Sequence, residues 1–166
     1  MVLPIRNVLV LLWAVLLAAC AIQLAPAHDP ALVEGLDKAN REALTLFAAV
    51  EKGSPATEFG RYEQRYAELI GAFDALRQRA STRQIPPLAR RLSNHRIVAD
   101  YCNSANDPGA CVNVSPSSLG QVLSLLRRMR DTHKGGGLEA DTVTQFRNGY
   151  DPAITQALTV ENALKR

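Results

Sequence analysis

The chain is poor in aromatic side chains: four Phe, four Tyr and one Trp make up 5% of its 166 residues. Ala and Leu dominate instead, which favours helices over sheets. No haem-attachment motif, Gly-x-Ser-x-Gly, His-Glu-x-x-His or phosphate-binding glycine loop occurs. No nucleophile–base pair can be assembled from the sequence, which argues against an enzyme. No Cys-x-x-Cys is present, so thioredoxin-like redox chemistry has no support. A formal net charge of +3 is too near neutral to argue for nucleic acid as a partner. Neither internal repeats nor low-complexity tracts stand out. The apolar run that begins at Val8 extends at best to Ile22, short of the roughly 20 residues that span a bilayer.

What the sequence does contain is helical periodicity. Asp29 is a good N-cap, Pro30 suits a first turn, and Gly53 suits a stop. Between them Leu32, Leu36, Ala39, Ala43, Leu46 and Val50 step by three and four, and Phe47 widens the stripe. Ser54-Pro55 is expected to cap a second helix. There Phe59, Tyr62, Tyr66, Leu69, Phe73, Leu76 and Ala80 form an unbroken seam of threes and fours, which implies near-antiparallel packing against a neighbour. A third helix is expected from Pro87 to about Tyr101, with Leu88, Leu92, His95, Ala99 and Cys102 able to share a face. Ser115-Pro116 is expected to cap a fourth, whose stripe is Leu119, Val122, Leu126 and Met129 and whose end is Gly135-Gly136-Gly137. A fifth runs from about residue 138 to 164 on Val143, Phe146, Tyr150, Ala153, Ala157, Val160 and Leu164. Its phase is unbroken across Pro152, which predicts a kink rather than a division. The expectation is one all-α domain over residues 29–166, a small antiparallel bundle of about five helices.

Few side chains point to chemistry. Asp100, Asn103, Asn106 and Asp107 lack the alternating spacing of a calcium loop and read as turn and cap residues. His28 falls in a linker, and His133 in the last turn of the fourth helix, where a cation is favoured. Arg77, Arg79, Arg83, Arg90, Arg91 and Arg96 form a basic stretch, and Arg127, Arg128 and Arg130 a second patch. These are either solvated helix surface or contacts to lipid phosphates or an acidic partner. Tyr62 and Tyr66 occupy the seam and read as core edge rather than a ligand platform.

The N-terminus has a distinct pattern. Arg6 precedes the apolar run of residues 8–17, which ends in Leu17-Ala18-Ala19-Cys20. It resembles the signal peptide and lipobox of bacterial lipoproteins. The resemblance implies a signal peptide over residues 1–19, diacylglycerol on the Cys20 thiol, cleavage before Cys20 and acylation of the new amine. Ala21 rather than aspartate after the cysteine implies, by the sorting rule of enteric bacteria, the outer membrane facing the periplasm. Cleavage removes Arg6 and no acidic residue, so the charge falls to +2 on about 147 residues, enough for one domain. Residues 20–28 become an acylated linker. Residues 36–80 loosely resemble helical lipoproteins of proteobacteria, a likeness without residue-level function.

If Cys20 is lipidated, Cys102 and Cys111 remain as an even pair in an oxidising compartment, which points to a structural disulfide around a turn-rich loop. The alternative is a metal site on His95, Cys102 and Cys111. That is not a recognised zinc spacing, and oxidation of the pair would abolish it. The expected function is a non-enzymatic, membrane-tethered interaction or structural role beside an envelope protein, without metal or cofactor. Binding of a small apolar ligand in the bundle core is the alternative.

Overall fold

The computed structural model describes residues 24–93, 95 and 111–165. The apolar N-terminal run, Cys20, Cys102, Arg96, Ala99, Asp100, Asn103, Asn106 and Asp107 therefore lie outside the described residues. The fold is all-α, a small helical bundle. Its elements are α1 (Pro30–Ala49), a 3-10 segment (Ala56–Arg61), α2 (Glu63–Ser81), α3 (Pro87–Ser93), α4 (Ser115–Gly136) and α5 (Ala140–Ala163).

Each long helix buries the stripe that its sequence carries. On α1, Leu32, Leu36, Ala39, Ala43, Leu46 and Phe47 are buried, while Lys38, Arg41 and Glu42 are exposed. Tyr66, Leu69, Phe73 and Ala80 line the inner face of α2. Leu119, Val122, Leu126 and Met129 line that of α4, and Val143, Tyr150, Ala153 and Ala157 that of α5. One apolar face per helix closes into a ring: α1 packs on α2 and α5, and α4 packs on α2 and α5.

Polar contacts set the directions. Arg79 near the end of α2 pairs with Asp29 at the start of α1 at 2.5 Å. At the opposite end the Tyr62 hydroxyl donates to the Ala49 carbonyl at 3.5 Å. Helices α1 and α2 are therefore an antiparallel hairpin, as the seam spacing predicts. Asn113, just before α4, donates to the Ala80 carbonyl, and His133, in the last turn of α4, meets Tyr66 near the start of α2. Leu138 exchanges backbone hydrogen bonds with Ser54, and Glu161 meets Arg83. The four long helices run up, down, up, down. The end where α1 begins and α2 finishes is called proximal below, and the other end distal.

Local chemistry explains most boundaries. The Asp29 carboxylate accepts from the Ala31 and Leu32 amides, capping α1. Arg79 holds that carboxyl below its ordinary range. Gly53 (φ +90°) and Gly137 (φ +86°) flank the Ser54–Leu138 pairing. A Cβ at Gly137 would sit 2.9 Å from the Ala56 nitrogen, and one at Gly53 2.6 Å from the Leu138 oxygen. Both turns therefore need glycine for its left-handed backbone and for close approach. Helix α5 runs undivided across Pro152, in keeping with its unbroken phase.

Three local expectations fail, and one buried acid has no counterpart among the expectations. Ser54 does not cap α2: a 3-10 segment intervenes, Ser54 pairs its backbone with Leu138, and its hydroxyl donates to Glu58. Ser115 does not cap α4 either, because its hydroxyl is turned inward to Glu161. Leu88 and Leu92 on α3 are 42% and 46% exposed, whereas Ala89 and Ser93 are buried. A seven-residue helix sits on whichever face its neighbours allow, and periodicity over two turns cannot fix that face. Glu161, finally, lies in the apolar stripe of α5.

Phe73 is fully buried, and its ring meets Tyr150 edge-on at 6.3 Å. Phe73→Ala should cost ~3–5 kcal/mol, a large share of a small domain's stability. Glu51→Ala, at an exposed position, should cost far less. Chemical denaturation of both variants checks this, and equal midpoint shifts would show that the buried face is misassigned.

Candidate functional site

Two polar clusters are buried in the bundle, one at each end. The proximal cluster centres on Glu161, whose side chain is fully buried. Arg83 grips it with both terminal nitrogens: Nη1 donates to Oε2 at 2.8 Å and Nη2 to Oε1 at 2.6 Å. The Ser115 hydroxyl also donates to Oε1. Arg83 Nη2 donates to Asn113 Oδ1 at 2.9 Å, and Asn113 Nδ2 to the Ala80 carbonyl at 2.8 Å. One carboxylate thus ties the turn after α2, the entry and first residue of α4, and the last turn of α5. Three hydrogen bonds engage both its oxygens. Its role is to satisfy a buried charge and to fix which helix ends meet.

The distal cluster centres on His133, fully buried in the last turn of α4. Its ring lies 5.5 Å from Phe59, 5.4 Å from Tyr62 and 5.9 Å from Tyr66, centroid to centroid. Nδ1 is 3.2 Å from the Tyr66 hydroxyl, and Nε2 has no hydrogen-bond partner. Lys134 sits over the Phe59 ring at 5.7 Å. Burial holds the imidazole below its ordinary pKa, offset in part by the Pro55 carbonyl and the Glu58 carboxylate. Burial likewise pushes the Tyr66 hydroxyl up, keeping it protonated. His133 does occupy the helix end where a cation is favoured, but desolvation outweighs the dipole. Tyr66 is core and Tyr62 its half-buried edge, in line with the seam.

Much of the expected basic stretch serves internal pairing. Arg77 pairs with Asp74 at 3.0 Å, Arg79 with Asp29, and Arg83 with Glu161. Arg90 and Arg91 remain exposed on α3, as do Arg127 and Arg128 on α4. Arg130 reaches its neighbour Asp131 at 2.8 Å. His95 and Cys111 are both exposed, while Cys102, the third member of the expected metal alternative, lies outside the described residues. Among the described residues no three His, Cys, Asp or Glu side chains are grouped to hold a metal ion.

Among the described residues three grooves between helices are open to solvent rather than enclosed in the core. The largest of them, about 440 Å³, runs between α1 and α2 past Gly35, Ala39, Ala72 and Leu76. A second lies between α1 and α5 beside Phe47 and Arg147, and the third beside Thr45 and Arg65. None of the three gives an apolar ligand a place inside the bundle.

The buried polar residues that sequence reasoning missed each left a signal. Glu161 continues the spacing of Ala153 and Ala157, and His133 continues that of Val122, Leu126 and Met129. A charged or titratable residue in register with an apolar stripe calls for a buried partner. No family model, curated protein or solved structure matches the chain.

Removing one member of the proximal pair strands the other. Glu161→Gln should lower unfolding free energy by ~3–5 kcal/mol, whereas the double change Arg83→Met, Glu161→Leu should recover most of that loss. Denaturant titrations of the three proteins check it. A double variant no better than the single would show that the pair is worth more than an apolar contact.

The distal cluster predicts a pH dependence. The folded state disfavours a proton that the unfolded chain accepts at pH about 6.5, so neutral His133 contributes stability above that pH and loses it on acidification. The stability difference between the native chain and His133→Gln should therefore shrink between pH about 7 and about 5. Paired denaturation curves measure it, and a constant difference would contradict the assignment.

Proposed function

We propose that the chain is a lipid-anchored helical domain of a bacterial cell envelope, with a non-enzymatic role in binding or bracing a protein partner there. The observation that carries this reading is Leu17-Ala18-Ala19-Cys20 at the end of an apolar run headed by Arg6. Cys20 is the proposed acylation site, and the outer membrane, facing the periplasm, the proposed location. Several acyl chains at about 0.8 kcal/mol per buried methylene would hold the domain firmly.

Two structural features support the reading. Capping by Asp29 starts the bundle eight residues after Ala21, and eight residues reach at most about 29 Å. The domain would thus stay close to the membrane surface. Among the described residues no helix is long and apolar enough to cross a membrane, so attachment would rest on the N-terminus. Pairing of Cys111 with Cys102 completes the proposal. Cys111 is engaged rather than free, and thiol counting on protein purified without reductant tests the pairing.

Metabolic labelling with a palmitate analogue tests the anchor. The native chain should incorporate label and appear as the cleaved form, and Cys20→Ser should remain an unlabelled precursor. Label persisting in Cys20→Ser would refute the assignment. Crosslinking in native envelopes should recover a protein partner with the labelled form. Recovery of none across growth conditions would count against the bracing role.

A further inference from the structure

We propose that the proximal end of the bundle is a seating surface for an anionic phospholipid bilayer, with α3 as its contact element. The orientation rests on the anchor reading above, but the surface itself rests on where exposed side chains fall. Among the described residues the exposed large aliphatic side chains are Leu24, Leu88 and Leu92, at 48%, 42% and 46%.

All three belong to one end. Leu24 lies five residues before the Asp29 cap, and Leu88 five residues after Arg83, which is pinned to Glu161. Five residues span at most about 18 Å, whereas the 19-residue α2 is about 28 Å long. Neither side chain can reach the distal end. Among the described residues α3 buries Ala89 and Ser93, which leaves Leu88 and Leu92 on its outer side. The chain enters α1 at this same end.

Charge at the two ends differs in its pairing. Arg90 and Arg91 are exposed between the two α3 leucines, and Lys165 is exposed at the proximal end of α5. Asp29 is paired with Arg79, and Glu161 is buried against Arg83, so neither acid opposes them. At the distal end exposed Glu51, Glu63, Glu139 and Asp141 stand among exposed Lys52, Arg61 and Lys134, so cations there have acids beside them. Leucine side chains entering the headgroup region beside arginines that meet lipid phosphates is the chemistry of an interfacial helix. An eight-residue tether brings that surface within reach of the bilayer without straining the chain. The distal end is then left facing away from the membrane.

The test uses the full chain purified from membranes and reconstituted into phosphatidylethanolamine vesicles containing photoactivatable phosphatidylglycerol. Crosslinks mapped by mass spectrometry should concentrate on residues 24–29 and 86–93 and be sparse on residues 51–63 and 134–141. The quadruple variant Leu88→Ser, Arg90→Gln, Arg91→Gln, Leu92→Ser should lose roughly tenfold or more of the crosslinks on residues 86–93. Its melting temperature should stay near native, because none of the four changed side chains is buried. Crosslinks spread evenly over both ends, or undiminished in the variant, would overturn the proposal. The intact mass separately reports the lipid on residue 20. If it is absent, the anchor reading fails, and the same vesicles added to the lipid-free protein decide the surface alone. Crosslinks on residues 86–93 that salt and the quadruple change both suppress would uphold it, and their absence would end it.

Discussion

A carboxylate buried among helices must be paired, and this constraint fixes the assembly of the bundle. Glu161 has no exposure, and its charge is tolerable only where the Arg83 guanidinium, the Ser115 hydroxyl and the supporting Asn113 arrive together. That requirement brings the turn after α2, the start of α4 and the end of α5 to one place. Apolar stripes alone would permit neighbouring helices to slide by a turn or exchange positions at modest cost. A bidentate pair with a third donor does not, because each slip leaves a charge buried without its partner. The proximal end is therefore where register is decided.

The distal end is organised by different means. Two positive-φ glycines, Gly53 and Gly137, let the two connecting turns touch, and Ser54 and Leu138 lock them with a pair of backbone hydrogen bonds of 2.8 and 2.7 Å. Beneath that lock lies His133 inside Phe59, Tyr62 and Tyr66. Between the two ends Tyr150 bridges α5 to its neighbours: its ring meets Phe47 and Phe73, and its hydroxyl donates to Asn40 at 2.9 Å. Scarce aromatics are thus concentrated where helices must be joined. A small domain with few large side chains gains most by placing them at shared contacts.

The two ends also differ on the outside, and this is where function is most legible. Exposed leucines beside the α3 arginines lie at the proximal end, and exposed acids and bases stand together at the distal end. A domain tethered as proposed would have one face toward its membrane and one away from it, and the exposed leucines lie at the end where the chain enters α1. The interior, by contrast, is engaged in holding the helices together.

Most of the secondary structure was determined by sequence alone. The stripes of α1, α2, α4 and α5 are long and regular, and steps of three and four over five or more turns admit one buried face each. Asp29 and the glycine turns marked boundaries for reasons of hydrogen bonding and φ that act locally. The proposed N-terminal address, too, rests on linear sequence alone. Tertiary structure decided what depends on distant partners. Ser54 and Ser115 look like caps, but Leu138 and Glu161 claim them instead. Arg77, Arg79 and Arg83 look like a basic patch until Asp74, Asp29 and Glu161 arrive beside them. Leu88 and Leu92 look like core, but a two-turn helix has too little periodicity to choose its own face. A sequence reveals a side chain's local preferences, whereas the pairing of a buried charge is settled only once the chain has brought its partner within reach.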